Sequence, residues 1–213
     1  MNVNNFEISQ LVLENFRLDG GAMFGSVPKN LWNKKIVTDE QNRIQMCTRI
    51  LLLKDQVRTV LIDLGCGRKE DEKFRKIYQI ESNNQKDLQQ IIPNVTDIIL
   101  THLHFDHCGG ISYLDSTKKL QLTYPQAKVY LQKKNWERAL NPGIREKASY
   151  LKDNIEPLKN VNLCFTTNAE EIIPGIKVFE VNGHTDGMQW VLIGEENGPA
   201  VAYVTDLIPT AHH

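Results

Sequence analysis

No apolar run in this sequence is long enough to cross a bilayer. The strongest, Ile50–Leu53 and Ile98–Leu100, are a small fraction of the roughly 20 residues a spanning helix needs. Met1–Gln10 has no basic stretch followed by an apolar one, so no leader is expected there. An excess of one charge is missing too. The 25 Lys+Arg and 26 Asp+Glu leave a net charge of −1, and the basic footprint that nucleic-acid partners demand is absent. Cysteine is scarce: Cys47, Cys66, Cys108 and Cys164 are widely spaced and form no C-x-x-C pair. A disulfide framework is therefore not expected, and reduced thiols in a cytoplasmic chain are. Repeats, low-complexity tracts and linkers are lacking as well. What is there is ordinary globular material: 213 residues, 41% hydrophobic and 24% charged, enough to bury a core as one domain over 1–213.

The hydropathy pattern alternates short strands and helices. Strand character is expected in Phe6–Leu18 (one or two strands), Thr48–Leu53 and Thr59–Leu64 (a hairpin), Asp97–Leu100, Lys128–Gln132, Val161–Phe165, Ile176–Val181, Gln189–Ile193 and Ala200–Val204. Helices are expected over Glu70–Tyr78, Ser82–Ile92, Lys133–Leu140 and Ile144–Asp153, with Pro93-Asn94 and Asn141-Pro142-Gly143 as stops. Gly20-Gly21 and Pro28 punctuate an early loop. Strands alternating with helices indicate a layered α/β architecture.

One segment stands apart: Thr101-His102-Leu103-His104-Phe105-Asp106-His107-Cys108-Gly109-Gly110, directly after a short strand. Three of the six histidines fall within it. In extended backbone, residues two apart point the same way, so His102 and His104 can reach one metal ion together. A turn after them can bring Asp106 and His107 to a second. Imidazole and carboxylate are the ligands of hydrolytic zinc, and the lack of cysteine at these four positions fits a catalytic site better than a closed structural one. The plain alternative is a polar loop of solvated histidines.

Two further loops join this reading. Val181-Asn182-Gly183-His184-Thr185-Asp186-Gly187 offers His184 after a strand, and Val204-Thr205-Asp206 offers Asp206. Alone, His184 reads as a loop or core histidine and Asp206 as a helix cap before Leu207-Ile208. Beside the first string, His184 reads as a ligand and Asp206 as a carboxylate bridging two ions. Asp63, at a strand end, either orients a ligand histidine from behind or simply forms a turn. Met23, Phe24, Val27 and Trp32 form an apolar stretch that suits a substrate wall, a core or a homodimer contact; Met23 and Phe24 are the candidate substrate-binding residues.

Taken together, these segments resemble the metallo-β-lactamase-fold hydrolases. The match runs from Leu61-Ile62-Asp63-Leu64-Gly65 through the histidine string and the Gly-His-Thr loop to Asp206. Leu18-Asp19-Gly20-Gly21-Ala22-Met23-Phe24-Gly25 and Asp206-Leu207-Ile208-Pro209-Thr210 look most like the branch of acyl-homoserine lactonases and parathion-type hydrolases. The resemblance implies an αββα sandwich. It places His102, His104 and His184 on one metal, Asp106 and His107 on another, and Asp206 between them. It implies two zinc ions, with Mn²⁺, Fe²⁺ or Co²⁺ as alternatives, and a shared hydroxide that cleaves an ester, a lactone or a related small-molecule bond. Asp106 would pass the proton to the leaving group.

The chain departs from that family in three ways. The family draws one more histidine from well after the bridging aspartate, whereas this sequence ends seven residues after Asp206. The last strand and helix are thus expected to be missing, and His212 or His213 are the substitutes at hand. The lactonase branch has a tyrosine where Pro209 stands. Asp206 occupies a position that is cysteine in many zinc β-lactamases, which counts against antibiotic hydrolysis. The rival functions are an RNA phosphodiesterase, a glutathione-thioester hydrolase, a di-iron redox protein (which would need glutamate at His104) and an inactive fragment with an incomplete metal site.

Overall fold

The computed structural model describes residues 1–195 and 197–213. Its strands are β1 (Asn2–Val3), β2 (Phe6–Asp19), β3 (Arg43–Lys54), β4 (Thr59–Ile62), β5 (Glu81–Ser82), β6 (Asp97–Ile99), β7 (Ser112–Leu114), β8 (Leu120–Leu122), β9 (Lys128–Gln132), β10 (Asn162–Thr166), β11 (Glu170–Ile173), β12 (Ile176–Val181), β13 (Met188–Gly194) and β14 (Ala200–Tyr203). Its helices are α1 (Gly20–Phe24), α2 (Lys29–Trp32), α3 (Glu72–Tyr78), α4 (Leu88–Ile91), α5 (Phe105–Cys108), α6 (Lys133–Leu140) and α7 (Lys152–Ile155).

The large sheet runs β1-β2-β3-β4-β6-β9-β10, with β5 pairing off β2. Its first half is antiparallel, while β4, β6, β9 and β10 are parallel. The small sheet, β11-β12-β13-β14, is antiparallel throughout. Alternation along β3 shows why the layers form. Leu51 and Leu53 join Val60, Ile62 and Ile99 in a core against Ile176, Val178, Val191 and Ile193 of the small sheet. Ile50 and Leu52 point the other way, into a core closed by Ala139 of α6, Ile155 of α7 and the Leu88 and Ile91 side chains of α4. A strand buried on both faces reads as an unbroken apolar run, as Ile50–Leu53 does. These are three of the four layers of an αββα sandwich; a second helical layer over the small sheet is not among the described residues.

Several expectations need correction. Phe6–Asp19 is one strand, with a register shift between Val12 and Glu14. Ser82–Ile92 is not one helix. Asn83 is held to β2 by its own N–H on Leu13 O (2.8 Å) and by Asn15 Nδ2 on its side-chain oxygen (2.8 Å), so helix begins only after Asp87. Ile144–Asp153 is likewise broken, into a 3₁₀ turn over Lys147–Ser149 and the start of α7. There Tyr150 turns inward to donate to Thr185 Oγ1 at 2.7 Å. The early loop contains α1 and α2, and β1, β5, β7, β8 and β11 have no counterpart among the expected strands.

The parallel strands aim their C-terminal ends at one edge of the sandwich, where loops are free to carry function. Asp63 leaves β4 with a left-handed backbone (φ 61°), its N–H donating to Ile99 O at 3.0 Å. Thr101–His104 leave β6 beside it, and α6 follows β9 directly. Beneath the loop after β4, β2 buries Glu14, whose Oε2 accepts from Thr48 Oγ1 and from the Cys66 N–H. Burial raises the Glu14 pKa above its ordinary value of 4.5, against the pull of those hydrogen bonds. A carboxyl whose pKa is raised by folding contributes stability below its unfolded value and loses it as pH climbs through the folded one. Glu14→Gln, which cannot ionise, is therefore expected to gain on the wild type in urea midpoint as pH rises from 4 to 8. A midpoint difference independent of pH would contradict this.

Candidate metal centre

His102 and His104 leave β6 on the same side, and Leu103 between them is buried in the helix-side core. His104 is the residue before α5, so Asp106 and His107 lie on that single helical turn. The turn expected after the H-x-H pair is thus present. Gly109 and Gly110 let α5 lie flat on the loop after β4, because a Cβ at either would overlap the carbonyls of Cys66 and Leu64. The Leu64 N–H closes the contact on His107 O at 2.7 Å.

Behind the histidines sits Asp63, almost wholly buried. Its Oδ1 accepts from the Thr101 N–H at 2.9 Å. Its Oδ2 accepts from Thr101 Oγ1 at 2.9 Å, from His107 Nδ1 at 2.9 Å and, at 3.3 Å, from Tyr203 OH, which shares its proton with Arg49 O at 2.5 Å. Thr101 spends its only proton on Asp63, so it receives from His102 Nδ1 at 3.1 Å. Both rings therefore carry a proton on Nδ1, assigned from their partners, and turn Nε2 inward.

The inward atoms converge. Asp206 Oδ2 lies 3.7 Å from His102 Nε2, 3.4 Å from His107 Nε2 and 3.2 Å from His184 Nε2. His104 Nδ1 lies 3.1 Å from His102 Nε2 and 2.9 Å from His184 Nε2. Two sets of ligand atoms result, His102/His104/His184 and His102/His107/Asp206, each lying within 4.8 Å of one another. His102 belongs to both. Asp106 stands at the side, with Oδ2 3.6 Å from His107 Nε2.

The local field is uneven. Burial lowers the His102 pKa well below its usual value, with the neighbouring imidazoles adding to the effect, and it brings His104 to about 3. Burial disfavours charge on His107 too, but Asp206, Asp106 and Asp63 outweigh it and hold that group well above the usual imidazole range. Asp206 is pulled below the carboxylate range by His107, again against burial, whereas burial and Asp206 push Asp106 up.

This donor set fits a soft-to-borderline divalent cation. Imidazole nitrogens and carboxylate oxygens face one another as acceptors at hydrogen-bond distances, with too few protons among them to pair. His104 Nε2 adds a buried nitrogen without a hydrogen bond. Thiols are kept out: the Cys108 thiol donates to Leu103 O at 3.3 Å and lies in the core.

A groove of about 640 Å³ opens on Asp63, Asp106, His107 and Asp206. Met46, Cys47, Ile50, Ile208 and Pro209 contribute to its walls. Met23 and Phe24 do not line it. Phe24 is buried with Trp32 and Ile44, and its ring is stacked on Trp32 (4.9 Å) and on His213 (4.5 Å). Phe24 is therefore a core residue here, and Met23 packs against the same cluster. His213 is engaged elsewhere: its Nε2 pairs with Met23 O at 3.0 Å and its Nδ1 with Thr210 Oγ1 at 2.8 Å.

Three residues escaped the sequence reading as parts of this site. Glu146 Oε2 lies 3.9 Å from His104 Nε2, and the same carboxylate pairs with Arg138. Tyr203 braces Asp63. Asn135, fully buried on α6, accepts from the Leu103 N–H at 2.9 Å. None is signalled by spacing: Asn135 and Tyr203 lie within an ordinary helix and strand, and Glu146 in a turn.

Residues 48–210 match the metallo-beta-lactamase superfamily. A probable metal-dependent hydrolase from Staphylococcus aureus superposes with a TM-score of 0.87 at 30% identity, covering 100% of this chain and 77% of that one. AidC, a dizinc quorum-quenching lactonase solved with a homoserine product, superposes at 0.70 with 22% identity over 98% of this chain and 74% of its own, a likeness of fold. An N-acyl homoserine lactonase of Bacillus sp is 32% identical over 105 residues, 49% of this chain. The matched stretch spans only 35% of that lactonase. With its two-sheet sandwich and the histidine cluster at the sheet edge, this chain belongs to the metallo-beta-lactamase superfamily.

Proposed function

We propose that the chain is a metal-dependent hydrolase of small-molecule esters or lactones, holding two zinc ions. The observation that carries the reading is the placing of Asp206 Oδ2 within 3.2–3.7 Å of three inward Nε2 atoms at the mouth of a groove. In the proposed assignment His102, His104 and His184 hold one ion, Asp106 and His107 hold the other, and Asp206 lies between them. Zinc in such a site polarises a carbonyl oxygen and lowers the pKa of bound water to about 7. The residues of the chain supply the rest. Asp63 and Thr101 fix which nitrogen each histidine presents. Asp106 faces the groove and takes up a proton on Oδ2 for delivery to the leaving oxygen. Met46, Ile208 and Pro209 offer an apolar wall to the acyl portion of a substrate. The lactonases among the relatives support a lactone ring as substrate, and Pro209, where that branch has tyrosine, favours a broader ester class.

Metal analysis beside native mass spectrometry tests the first half of the reading. Two zinc ions per wild-type chain are expected. His102→Ala, which removes one of the three histidines of the first set, is expected to lose that ion; a His102→Ala protein with full zinc content would refute the assignment. The second half is tested by hydrolysis of acyl-lactone and nitrophenyl ester reporters. Chelation should abolish turnover and added zinc restore it. Asp106→Asn should lower kcat by about 10²–10⁴, and unchanged kcat would remove Asp106 from the proton path.

A further inference from the structure

We propose that Asn135 is a positioning residue whose amide ties the loop of His102 and His104 to the loop of His184 and so sets the spacing of the three-histidine set. The proposal rests on the metal-binding reading above. Asn135 sits in the first turn of α6, immediately after β9, among charged neighbours, Lys133, Lys134 and Glu137. Yet its side chain is fully buried. Nothing in helix formation asks for asparagine there, since a buried amide is tolerated only where its hydrogen bonds are made.

Those bonds go to the two ligand loops. Asn135 Oδ1 accepts from the N–H of Leu103, the residue between His102 and His104, at 2.9 Å. Asn135 Nδ2 donates to the carbonyl of Asp186, two residues past His184, at 2.8 Å. A carboxamide is the side chain that offers an acceptor and a donor in one rigid plane. Leucine would satisfy neither loop, and aspartate would satisfy only the first.

The loops are also drawn close. Gly187 has a left-handed backbone (φ 69°), and a Cβ there would lie 2.5 Å from Asn135 N, so the loop presses on α6 with no room for a side chain. A relay extends the clamp outward: Asn135 Nδ2 reaches Tyr150 OH at 3.5 Å, Tyr150 donates to Thr185 Oγ1 at 2.7 Å, and Thr185 donates to Glu146 at 2.8 Å. The Tyr150 ring meets that of His104 edge-on, centroids 4.8 Å apart. At the loop bases the Gln189 N–H donates to Thr101 O at 2.9 Å. Gln189 thus joins the roots of the two loops and Asn135 joins them near the ligands.

The test compares wild type, Asn135→Ala and Asn135→Asp. Zinc affinity is measured by competition with a chromophoric chelator, and amide hydrogen exchange is followed in the zinc-free proteins. Outer-sphere partners of metal ligands typically change affinity 10–100-fold, and a loss of that size at one zinc is expected for Asn135→Ala. In the zinc-free variant, exchange should speed up at the Leu103 amide and across 182–187 together. Asn135→Asp, which keeps the acceptor alone, should protect Leu103 while loosening 182–187. Wild-type zinc affinity in a folded Asn135→Ala protein, or undisturbed exchange over 182–187, overturns the proposal. If Asn135→Ala does not fold, Asn135→Asp decides by the same two readouts. Failure of both to fold would make Asn135 a residue of the core and also overturn it. A wild-type protein that takes up no zinc would instead contradict the hydrolase reading, and the exchange experiment would still show whether the amide couples the loops.

Discussion

The site depends on the carboxylate of Asp63. A buried carboxylate is costly unless its lone pairs are occupied, and this one accepts from a backbone amide, a threonine hydroxyl, an imidazole and a phenol. Those four donors come from the end of β6, from α5 and from the end of β14, so one anion joins segments 38 to 140 residues away. In satisfying Asp63, Thr101 and His107 give up their protons outward. What remains inward is a set of Nε2 atoms facing one carboxylate. The spacing of the histidines and their protonation are thereby linked to the same group, and a residue at φ 61° is retained at the strand end to place it.

The consequence is a cluster that is poor in protons and rich in acceptors. Sequences usually avoid buried acceptors that face one another, and exceptions mark functional places. Here the burden is spread over two layers. Behind the ligands, Asp63, Thr101 and Tyr203 are saturated with hydrogen bonds. Around the rim, Asn135, Tyr150, Thr185 and Glu146 relay them from one loop to the next. The innermost atoms are mostly acceptors, and the His107–Asp206 pair shows what the field favours: positive charge at the centre.

Much of this was legible in the sequence and some was not, for physical reasons. Lys128–Gln132, Lys133–Leu140 and Ile176–Val181 were read with the bounds observed, because burial on one or both faces writes a period into the chain. The histidine string was legible because its density has no structural use. Asp206 and His184 were legible only in its company. Ser82–Ile92 misled because helix propensity does not see Asn83 bonded to a strand 71 residues away. Phe24 misled because an apolar residue near a glycine turn reads the same whether it lines a groove or stacks on a tryptophan. Asn135 was invisible because its meaning lies in two backbone groups it meets only after folding.

The central claim is that His102 and His107 turn their Nε2 atoms toward two neighbouring cation positions joined by Asp206. Proton-detected ¹⁵N spectra of the histidine rings during zinc titration test it most directly. The account predicts that Nδ1 of both rings stays protonated throughout while both Nε2 signals move to metal-bound shifts, saturating together with Asp206 intact and failing to do so in Asp206→Ala. Nε2 signals that stay in place while zinc is added, or rings protonated on Nε2 with Nδ1 bare, would contradict it.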